Sequence, residues 1–248
     1  MSPFDEHATS LKASQDPDSE RTRSAIIERT RAIYAGYASS GYAERWLDRS
    51  AGSVIGLRER EKWLREALCP IADGTLLDVG CGSGALAIIL ARAGCSPARY
   101  IGVDILESSL AEAREAVPQG EFLLGSADRI QLADEVVDAA AALTLLSSVP
   151  DDWFRGRVAA EIGRVLRPGG RLVVYDLRYP SPRNRAVRPV TRRVLAGLFP
   201  GWAIESKTMT LLPPLMRSPL AASPRRYRAL TALPFLRSHL GAVLTKPG

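Results

Sequence analysis

The sequence LLDVGCGSG at residues 76–84, followed by the apolar run ALAIIL at residues 85–90, decides the fold of this chain. It predicts a short buried strand, a glycine-rich turn and the start of an apolar helix. The alternating glycines Gly80, Gly82 and Gly84 permit a sharp turn and leave backbone N–H groups open to a ligand. The turn matches neither the dinucleotide pattern GxGxxG nor the Gly-Lys-Ser/Thr ending of a phosphate-binding loop. It therefore predicts a nucleotide-type site that does not bind a triphosphate.

An acidic residue ends the next predicted strand. The sequence YIGVD at residues 100–104 places Asp104 about 20 residues after the last glycine, where this topology puts a carboxylate for ribose hydroxyls. A helix is then predicted at residues 108–117, followed by strands at 121–124 and 138–146. A helix at 152–166, a turn at 167–170 and a strand at 171–176 complete this part. Strands and helices that alternate at this spacing predict a parallel α/β sheet.

Several segments in this region resemble the class I S-adenosylmethionine-dependent methyltransferases of the type 11 kind. They are LLDVGCGSG, IGVD, GSAD, VDAAAALTLLSSVPDD and EIGRVLRPGGRLVVYD, in the order and spacing of that family. The resemblance implies a Rossmann-like, doubly wound sheet of seven strands in the order 3-2-1-4-5-7-6, with strand 7 antiparallel. It also implies S-adenosylmethionine as the cofactor and methyl transfer as the reaction, but it does not specify the acceptor.

The resemblance also assigns cofactor contacts to positions of this sequence. The backbone of Gly80, Cys81 and Gly82 would hold the aminocarboxypropyl part of the cofactor. Asp78 would pair with the ammonium group of that part, and Asp104 would accept hydrogen bonds from both ribose hydroxyls. Ile105, Ser126 and Ala127 would contact the adenine ring, and Leu143 would line the methionine part. Tyr34 and Tyr37 would belong to a lid over the cofactor. For the two tyrosines, aromatic packing of a helix on the sheet is the alternative.

The sequence departs from the family at the residues that could act as a base. Many relatives carry His-His after the fourth strand, where this chain has Ser147 and Ser148. Asp176, at the carboxyl end of the fifth strand, is the first candidate for orienting the acceptor or accepting its proton. Its alternative role is a salt bridge to Arg178 or the capping of the following turn. His239 is the second candidate, with a structural role as its alternative.

Charge is distributed unevenly along the chain. Residues 164–248 contain 16 Lys and Arg against 2 acidic residues, whereas the preceding part is acidic overall. Such a basic segment predicts an anionic partner. Some of these arginines directly follow the fifth strand, namely Arg178, Arg183, Arg185 and Arg188. We predict that they bind a phosphate, pyrophosphate or carboxylate group of the acceptor, with a solvated basic face as the alternative.

The chain is predicted to contain a cofactor-binding domain with an N-terminal addition and an insertion. Residues 1–24 form a polar leader that we expect to be disordered, residues 25–70 a helical lid region, and residues 71–248 the methyltransferase domain. Residues 213–235 separate the last two strands by an unusually long connection that is both apolar and basic. We predict that this insertion caps the acceptor pocket; contact with an anionic membrane surface is the alternative.

The cysteines Cys69, Cys81 and Cys95 are unclustered and odd in number. This pattern predicts neither a disulfide framework nor a metal site. The chain also shows no secretory leader and no apolar run of the length that a membrane span needs. We therefore expect a reduced, cytoplasmic protein without metal.

These observations favour a methyltransferase that acts on oxygen of an anionic small molecule or of a phosphate-linked glycan or lipid. The alternatives are an N-methyltransferase of a secondary metabolite, an RNA methyltransferase, and a cofactor-binding scaffold without catalysis. The sequence contains no recognisable RNA-binding module or aromatic and basic stacking platform, which argues against a nucleic-acid partner. The intact glycine turn and Asp104 argue against the scaffold.

Overall fold

The protein is built around one seven-stranded sheet. The computed structural model describes residues 17–39, 50–71, 73–149, 151–181 and 186–248. The strands are β1 (Thr75–Val79), β2 (Arg99–Asp104), β3 (Glu121–Leu124), β4 (Val137–Leu143), β5 (Leu166–Leu177), β6 (Ala203–Leu211) and β7 (Arg237–Thr245). Their order is β3-β2-β1-β4-β5-β7-β6, and β7 runs antiparallel to both β5 and β6. The predicted fold and strand order are confirmed.

Helices cover both faces of the sheet. They are α1 (Pro17–Ser39), α2 (Ala51–Leu68), α3 (Ala85–Arg92), α4 (Glu107–Ala116), α5 (Asp152–Val165), α6 (Arg192–Leu198), α7 (Pro213–Met216) and α8 (Pro224–Thr231). Apolar side chains of α2, α3 and α4 pack on one face, called the α2 face below. Those of α5 and α6 pack on the other, the α5 face. The arrangement is that of a doubly wound α/β fold.

The central strand β4 shows why both faces can be covered closely. Its alanines alternate, so that Ala140 and Ala142 pack in the core of the α5 face while Ala139 and Ala141 pack in that of the α2 face. Each of the four is fully buried. A strand buried on both faces is expected to be a continuous apolar run, as the sequence indicates.

Two element boundaries differ from the sequence prediction. Strand β4 ends at Leu143 rather than at residue 146, because Thr144 adopts a left-handed backbone conformation (φ 55°) and a 3-10 turn follows. Residues 167–170 are not a separate turn but the irregular start of β5. There Gly169 (φ 73°) donates its backbone N–H to the carbonyl oxygen of Lys246 at 3.1 Å, which joins this segment to the end of β7.

The prediction that the cysteines are unpaired is wrong for two of them. Cys69 and Cys95 form a disulfide, with their Cα atoms 5.2 Å apart. Cys69 directly follows α2 and Cys95 lies just beyond α3, and these helices are neighbours on the α2 face. The linear spacing of 26 residues does not reveal this proximity. The cysteines therefore give no argument for a reducing compartment.

The N-terminal boundary also needs correction. Helix α1 begins at Pro17, so residues 17–24 of the predicted disordered leader are helical. The reason is a tertiary contact: Arg23 donates from Nε to Asp128 Oδ2 at 2.6 Å, which holds this end of α1 on the domain. Residues 1–16 lie outside the described residues.

The insertion between β6 and β7 docks on α2. It comprises α7, α8 and two 3-10 turns. Close contact is possible because α2 has Gly52 and Gly56 where it meets Met216. Further along, the Tyr227 hydroxyl donates to Glu59 Oε2 at 3.0 Å. The insertion is therefore an integral part of the α2 face.

Replacing Gly52 by alanine is expected to lower the free energy of unfolding by about 1–3 kcal/mol, because overpacking forces backbone shifts. A Cβ at this position would collide with the carbonyl oxygen of Met216. The matched control is Gly156→Ala in α5, where a Cβ meets nothing within 4 Å. Since alanine favours helix, the control should be neutral or stabilising by up to about 1 kcal/mol. Urea denaturation measures both, and equal effects would contradict the docking of α7 on α2.

The insertion also presents exposed apolar side chains to solvent. Leu220, Leu233 and Phe235 are 59%, 46% and 61% exposed. Across the described ranges, no helix has the length and apolar character needed to cross a membrane. The role of this insertion as a cap on the acceptor pocket therefore stays a prediction, with membrane contact as its alternative.

Candidate active site

The glycine turn between β1 and α3 forms one wall of the site. Gly80, Gly82 and Gly84 all have φ between 52° and 79°, a left-handed conformation that favours glycine. The backbone N–H groups of Gly80 and Cys81 both donate to the carbonyl oxygen of Val103, at 2.8 and 3.1 Å. The turn is thereby fixed to the end of β2.

Asp104, the last residue of β2, is positioned by two backbone donors. Its Oδ2 accepts from the N–H of Gly82 and its Oδ1 from the N–H of Leu106, both at 2.9 Å. A carboxylate oxygen has a further lone pair after one such bond. The Asp104 carboxylate is therefore oriented and still able to accept hydrogen bonds from a pair of hydroxyls.

A cleft opens between the glycine turn, the end of β2, helix α1 and the segment after β4. Most of the residues that the sequence assigned to cofactor binding line it: Tyr34, Gly80, Gly82, Asp104, Ile105, Ser126, Ala127 and Leu143. The lining combines apolar side chains with one oriented carboxylate and glycine backbone. This chemistry fits an adenosine group that has an apolar ring and a ribose diol.

The other residues predicted to hold the cofactor are placed differently. Asp78, in β1, and Cys81, within the glycine turn, are buried and are not among the residues that line the cleft. Tyr37 has a side chain outside the described part of the structure. Asp78 Oδ2 accepts a hydrogen bond from the Tyr100 hydroxyl at 2.6 Å. Burial raises the pKa of Asp78 to about 7, with a smaller raising effect from Asp104, although the Tyr100 hydrogen bond opposes it.

This raised pKa has a measurable effect on stability. A carboxyl whose pKa is higher in the folded than in the unfolded chain stabilises the fold at low pH, and that stability is lost as the pH rises through the folded pKa. From about pH 4 to pH 7, the ligand-free protein should lose on the order of 4 kcal/mol relative to Asp78→Asn, which keeps an acceptor for Tyr100. Urea denaturation across this pH range tests the prediction, and parallel curves for the two proteins would contradict it.

A buried ionic network lies beside the cleft, next to Ser126. The Asp128 carboxylate accepts from Arg23 Nε at 2.6 Å, from the Ser126 hydroxyl at 2.6 Å and from Arg157 Nε at 3.3 Å. Burial acts to raise the pKa of Asp128, but the hydrogen bonds from Arg23 and Ser126 outweigh it, so the pKa lies below its usual value. The hydroxyl of Ser126 is thus committed to Asp128, and it can face the cleft only as an acceptor.

The sequence did not point to several residues that line the cleft. Ile27 and Thr30 come from α1, Thr144 directly follows β4, and Phe154 lies in α5. Thr144 is held in its left-handed conformation by its N–H, which donates to the carbonyl oxygen of Tyr175 at 2.7 Å. A β-branched residue in this conformation is a true outlier, of a kind that clusters at functional sites. Nothing in the local sequence reveals it.

Asp176 is fully buried on the α5 face and is not among the residues that line the cleft. Its Oδ2 accepts from the N–H of Ser147 at 3.1 Å and its Oδ1 from the N–H of Leu177 at 2.8 Å. Burial raises the pKa of Asp176 to about 6. This placement matches the alternative in which Asp176 caps the adjoining turn, and it gives the proposed role toward the acceptor no support.

Of the four arginines after β5, Arg178 and Arg188 lie among the described residues. Arg178 donates to the carbonyl oxygen of Pro234 at 2.7 Å, and its guanidinium lies 4.6 Å from the centre of the Tyr179 ring. Arg188 lies 3.7 Å from the Asp152 carboxylate. Arg183 and Arg185 lie outside the described residues. The two arginines that are described are therefore both occupied by groups of the protein itself.

His239 lies on β7 opposite Leu177 and shares the α2 face with Tyr175, against which its ring stacks. It does not line the cofactor cleft as described. His239 nevertheless pairs with Leu177, the last residue of β5, so it lies at the edge of the sheet where β5 ends. In open α/β sheets this edge is where ligands bind.

The comparisons with known proteins agree with this geometry. Residues 77–174 match the family model described as a methyltransferase domain. The chain is 38% identical over 136 residues to an uncharacterized methyltransferase of Mycobacterium tuberculosis, covering 52% of this chain and 53% of that protein. It is 35% identical over 137 residues to the 27-O-demethylrifamycin SV methyltransferase of Amycolatopsis mediterranei, covering 50% and 48%. The chain thus spans about half the length of these curated relatives.

Solved structures support the fold. The 1,6-didemethyltoxoflavin N1-methyltransferase of Burkholderia thailandensis superposes with a TM-score of 0.63 at 19% identity, covering 92% of this chain and 90% of that one. The N-methyltransferase NodS of Bradyrhizobium japonicum gives a TM-score of 0.60 at 16% identity, covering 78% and 98%.

Fold, cleft and family match together define residues 77–174 as a class I S-adenosylmethionine-dependent methyltransferase domain. The cofactor of this class is S-adenosylmethionine.

Proposed function

We propose that this protein is an S-adenosylmethionine-dependent methyltransferase that methylates oxygen in a small molecule bearing an ionised or readily ionised group. The observation that carries the proposal is the Asp104 carboxylate, fixed by Gly82 and Leu106 at the mouth of an otherwise apolar cleft. Such a carboxylate suits the ribose hydroxyls of the cofactor.

The residues present fit the cofactor. Asp104 would hold the ribose, and the backbone at Gly80 and Gly82 would face the aminocarboxypropyl part. Ile105 and Ala127 would contact the adenine ring. When bound, S-adenosylmethionine supplies a methyl group activated by its sulfonium sulfur. The chain itself would align the acceptor and exclude water, tasks that can be worth about 7–11 kcal/mol of the activation barrier.

The lid assignment to Tyr34 gains support from the position of α1. Ile27, Thr30 and Tyr34 all lie on the cleft side of this helix and line the cleft. Arg31 donates from Nε to the carbonyl oxygen of Ile105 at 3.2 Å, beside the site proposed for adenine. Helix α1 would therefore close over the bound cofactor and keep water from the methyl group.

An oxygen acceptor with acidic character is favoured by two observations. The C-terminal third has a large excess of arginine, which raises the local concentration of anions. One curated relative, the 27-O-demethylrifamycin SV methyltransferase, is named for methylation at an oxygen. Phosphate-linked glycans and lipids remain within the proposed acceptor class.

Labelled methyl transfer tests the proposal. The full chain is incubated with S-adenosylmethionine labelled in the methyl group and with a panel of phenols, carboxylic acids, phosphorylated sugars and primary amines. We expect label in oxygen-methylated products of the acidic acceptors. Label confined to amine products would overturn the oxygen assignment, and a folded protein that binds no cofactor would overturn the proposed function as a whole.

A further inference from the structure

A second polar cluster lies on the α2 face, outside the cofactor cleft. The rings of Tyr175 and His239 stack with their centres 4.5 Å apart and their planes at 10°. The guanidinium carbon of Arg60, from α2, lies 5.8 Å from the centre of the Tyr175 ring. Arg60 and His239 both keep part of their surface exposed to solvent. The cluster therefore combines a positive charge with a partly exposed imidazole, and the imidazole is backed by the buried Tyr175 ring.

The hydrogen bonds of Ser238 determine the tautomer of His239. The Ser238 hydroxyl oxygen lies 3.0 Å from the carbonyl oxygen of Thr210, 3.3 Å from that of Leu211 and 2.8 Å from His239 Nδ1. A hydroxyl has one proton, and carbonyl oxygens can only accept. The proton must point to the carbonyls, so the hydroxyl oxygen accepts from Nδ1. His239 therefore has its proton on Nδ1 and an unprotonated Nε2.

The imidazole is uncharged at neutral pH. Burial and, as a smaller cause, the positive charge of Arg60 together lower the pKa of His239 to about 3. The lone pair of Nε2 is thus available to accept a hydrogen bond rather than being occupied by a proton.

Arg60 is the member of the cluster whose charge is unbalanced. Among the residues that the structure describes, its buried Nε has no hydrogen-bond partner. The nearby Glu59 is engaged elsewhere, since its Oε2 accepts from the N–H of Thr210 at 3.3 Å and from the Tyr227 hydroxyl at 3.0 Å. A guanidinium offers five N–H donors, and leaving a buried one unpaired is costly. An anionic ligand would satisfy it.

Thr210 fixes the remaining member of the cluster. Its hydroxyl lies 2.8 Å from that of Tyr175, so the Tyr175 ring is held at both its hydroxyl and its stacked face. Thr210 itself adopts φ 60°, a conformation that β-branched residues avoid. Backbone strain of this kind persists where the surroundings over-determine it, commonly at ligand sites. The buried Tyr175 ring therefore supports the imidazole of His239 in a fixed position.

The sheet register places this cluster next to the cofactor cleft. Tyr175 on β5 pairs with Leu143 on β4, and Leu143 lines the cleft. Paired residues of neighbouring strands project to the same face, at a spacing of about 5 Å between strands. Both side chains pack in the same core of the α2 face. Tyr175 thus lies one strand from Leu143, and His239, on β7, lies one strand further.

We infer that Arg60 and His239, with the buried Tyr175 ring behind the imidazole, form the acceptor subsite, and that it takes a hydroxyl group carried on a planar conjugated ring, a phenol or an enol. The inference rests on the proposed function. His239 Nε2 accepts the proton of the reacting hydroxyl, and Arg60 stabilises the negative charge that develops on its oxygen. In the balanced step this oxygen bonds to the methyl carbon, the carbon–sulfur bond breaks with its electron pair going to sulfur, and the proton passes to Nε2 and then to water.

This arrangement selects for acidic hydroxyls. Burial makes His239 a weak base, and the same positive charge that stabilises the developing oxyanion adds to this effect. An aliphatic alcohol would need a stronger base, whereas the conjugate base of a phenol or enol is already stabilised by its ring. Ser238 acts as a positioning residue, because it reaches the acceptor only through the tautomer of His239.

Binding of 4-nitrophenol, whose visible absorbance reports its ionisation, tests the subsite. The full chain is saturated with S-adenosylhomocysteine and titrated with the probe by calorimetry and absorbance. We expect saturable binding to the unmodified protein, weakened about tenfold or more in Arg60→Met and in His239→Gln, since each loses a hydrogen bond to the ligand. Arg58→Met, an exposed arginine on the same helix, is the matched control and should bind the probe normally.

Nitrogen NMR of the imidazole provides a measurement on the unmodified protein, with one variant used only to assign the signals. The chain has two histidines, His7 and His239, so the His239→Gln spectrum assigns the signals. We expect Nδ1 to be protonated and Nε2 unprotonated, with the Nε2 signal moving when the probe binds. A proton on Nε2 in the free protein, or absence of probe binding to the unmodified protein, would overturn the subsite. So would undiminished binding in both variants.

Titration with S-adenosylhomocysteine distinguishes a failure of the subsite from a failure of the proposed function. If the unmodified protein binds S-adenosylhomocysteine but does not bind 4-nitrophenol, the subsite is refuted and the proposed function stands. If the cofactor itself does not bind, the proposed function is refuted. The variants are compared only after circular dichroism and cofactor affinity match those of the unmodified protein, which excludes misfolding as the cause.

Discussion

Asp104→Ala is expected to lower the affinity for S-adenosylmethionine by about 100-fold or more. Hydrogen bonds to a charged group contribute about 1.5–3 kcal/mol each, and two ribose hydroxyls would lose theirs together. The substitution also removes the acceptor that orients the backbone N–H groups of Gly82 and Leu106, so both loops beside the cleft lose their common anchor. Isothermal titration calorimetry with the cofactor and its demethylated product measures the effect.

Two further variants define what the Asp104 measurement means. Asp104→Asn keeps one acceptor oxygen and should give an intermediate loss of affinity. Glu112→Ala, an exposed acidic residue on the following helix α4, removes the same charge away from the cleft and should leave the affinity unchanged. If Asp104→Ala binds the cofactor as tightly as Glu112→Ala does, the assignment of the ribose site to this carboxylate is wrong.

The part of the site that depends on local sequence was predictable. The spacing of Gly80, Gly82 and Gly84 encodes backbone angles within one turn, and Asp104 ends a strand whose length and position the apolar pattern determines. These features come from residues close together in the chain, so propensity and periodicity suffice. The order of the strands came from the resemblance to the methyltransferase family, because the pattern of strands alone leaves several topologies open.

The rest depends on contacts between residues far apart in the sequence. Arg23 reaches Asp128 across 105 positions, and Arg178 turns to the carbonyl oxygen of Pro234 across 56. Cys69 and Cys95 meet because two helices end side by side. In each case the residue type indicates what chemistry is available, but only the packed structure determines the partner. The arginines after β5 were assigned to the acceptor for this reason, while Arg60 in α2 was overlooked.

The Arg23–Asp128 pair leads to the second large effect. Asp128→Asn preserves the size of the side chain but leaves Arg23 and Arg157 without their shared counter-ion. The Asp128 side chain has no exposed surface, and that of Arg23 is 13% exposed. Removing one partner of a buried ion pair costs about 3–5 kcal/mol. We expect a loss of that size in the free energy of unfolding, measured by urea denaturation.

The loss should appear first at α1, because Arg23 is the residue that ties this helix to Asp128. Tryptic cleavage at the exposed Arg29 and Arg31 of α1 should accelerate before the sheet is digested. Affinity for S-adenosylmethionine should fall about tenfold, since α1 contributes Ile27 and Thr30 to the cleft and removing such contacts costs on the order of 1–2 kcal/mol. Acid should have the same effect: the pKa of Asp128 is depressed, so its stabilisation is present above about pH 4 and is lost as the pH falls through the folded pKa.

Glu20→Gln is the matched control for the Arg23–Asp128 ion pair. Glu20 also pairs with Arg23, at 3.1 Å, but its side chain is 48% exposed. Exposed pairs contribute about 0–1 kcal/mol, so this variant should unfold and bind cofactor almost as the unmodified protein does. Each variant removes one negative charge beside Arg23, a buried one at Asp128 and an exposed one at Glu20. Each carboxylate also pairs with a second arginine, Arg157 for Asp128 and Arg129 for Glu20. If the two variants behave alike, or if Asp128→Asn lowers stability without faster cleavage of α1, the pair is not what holds this helix over the cofactor.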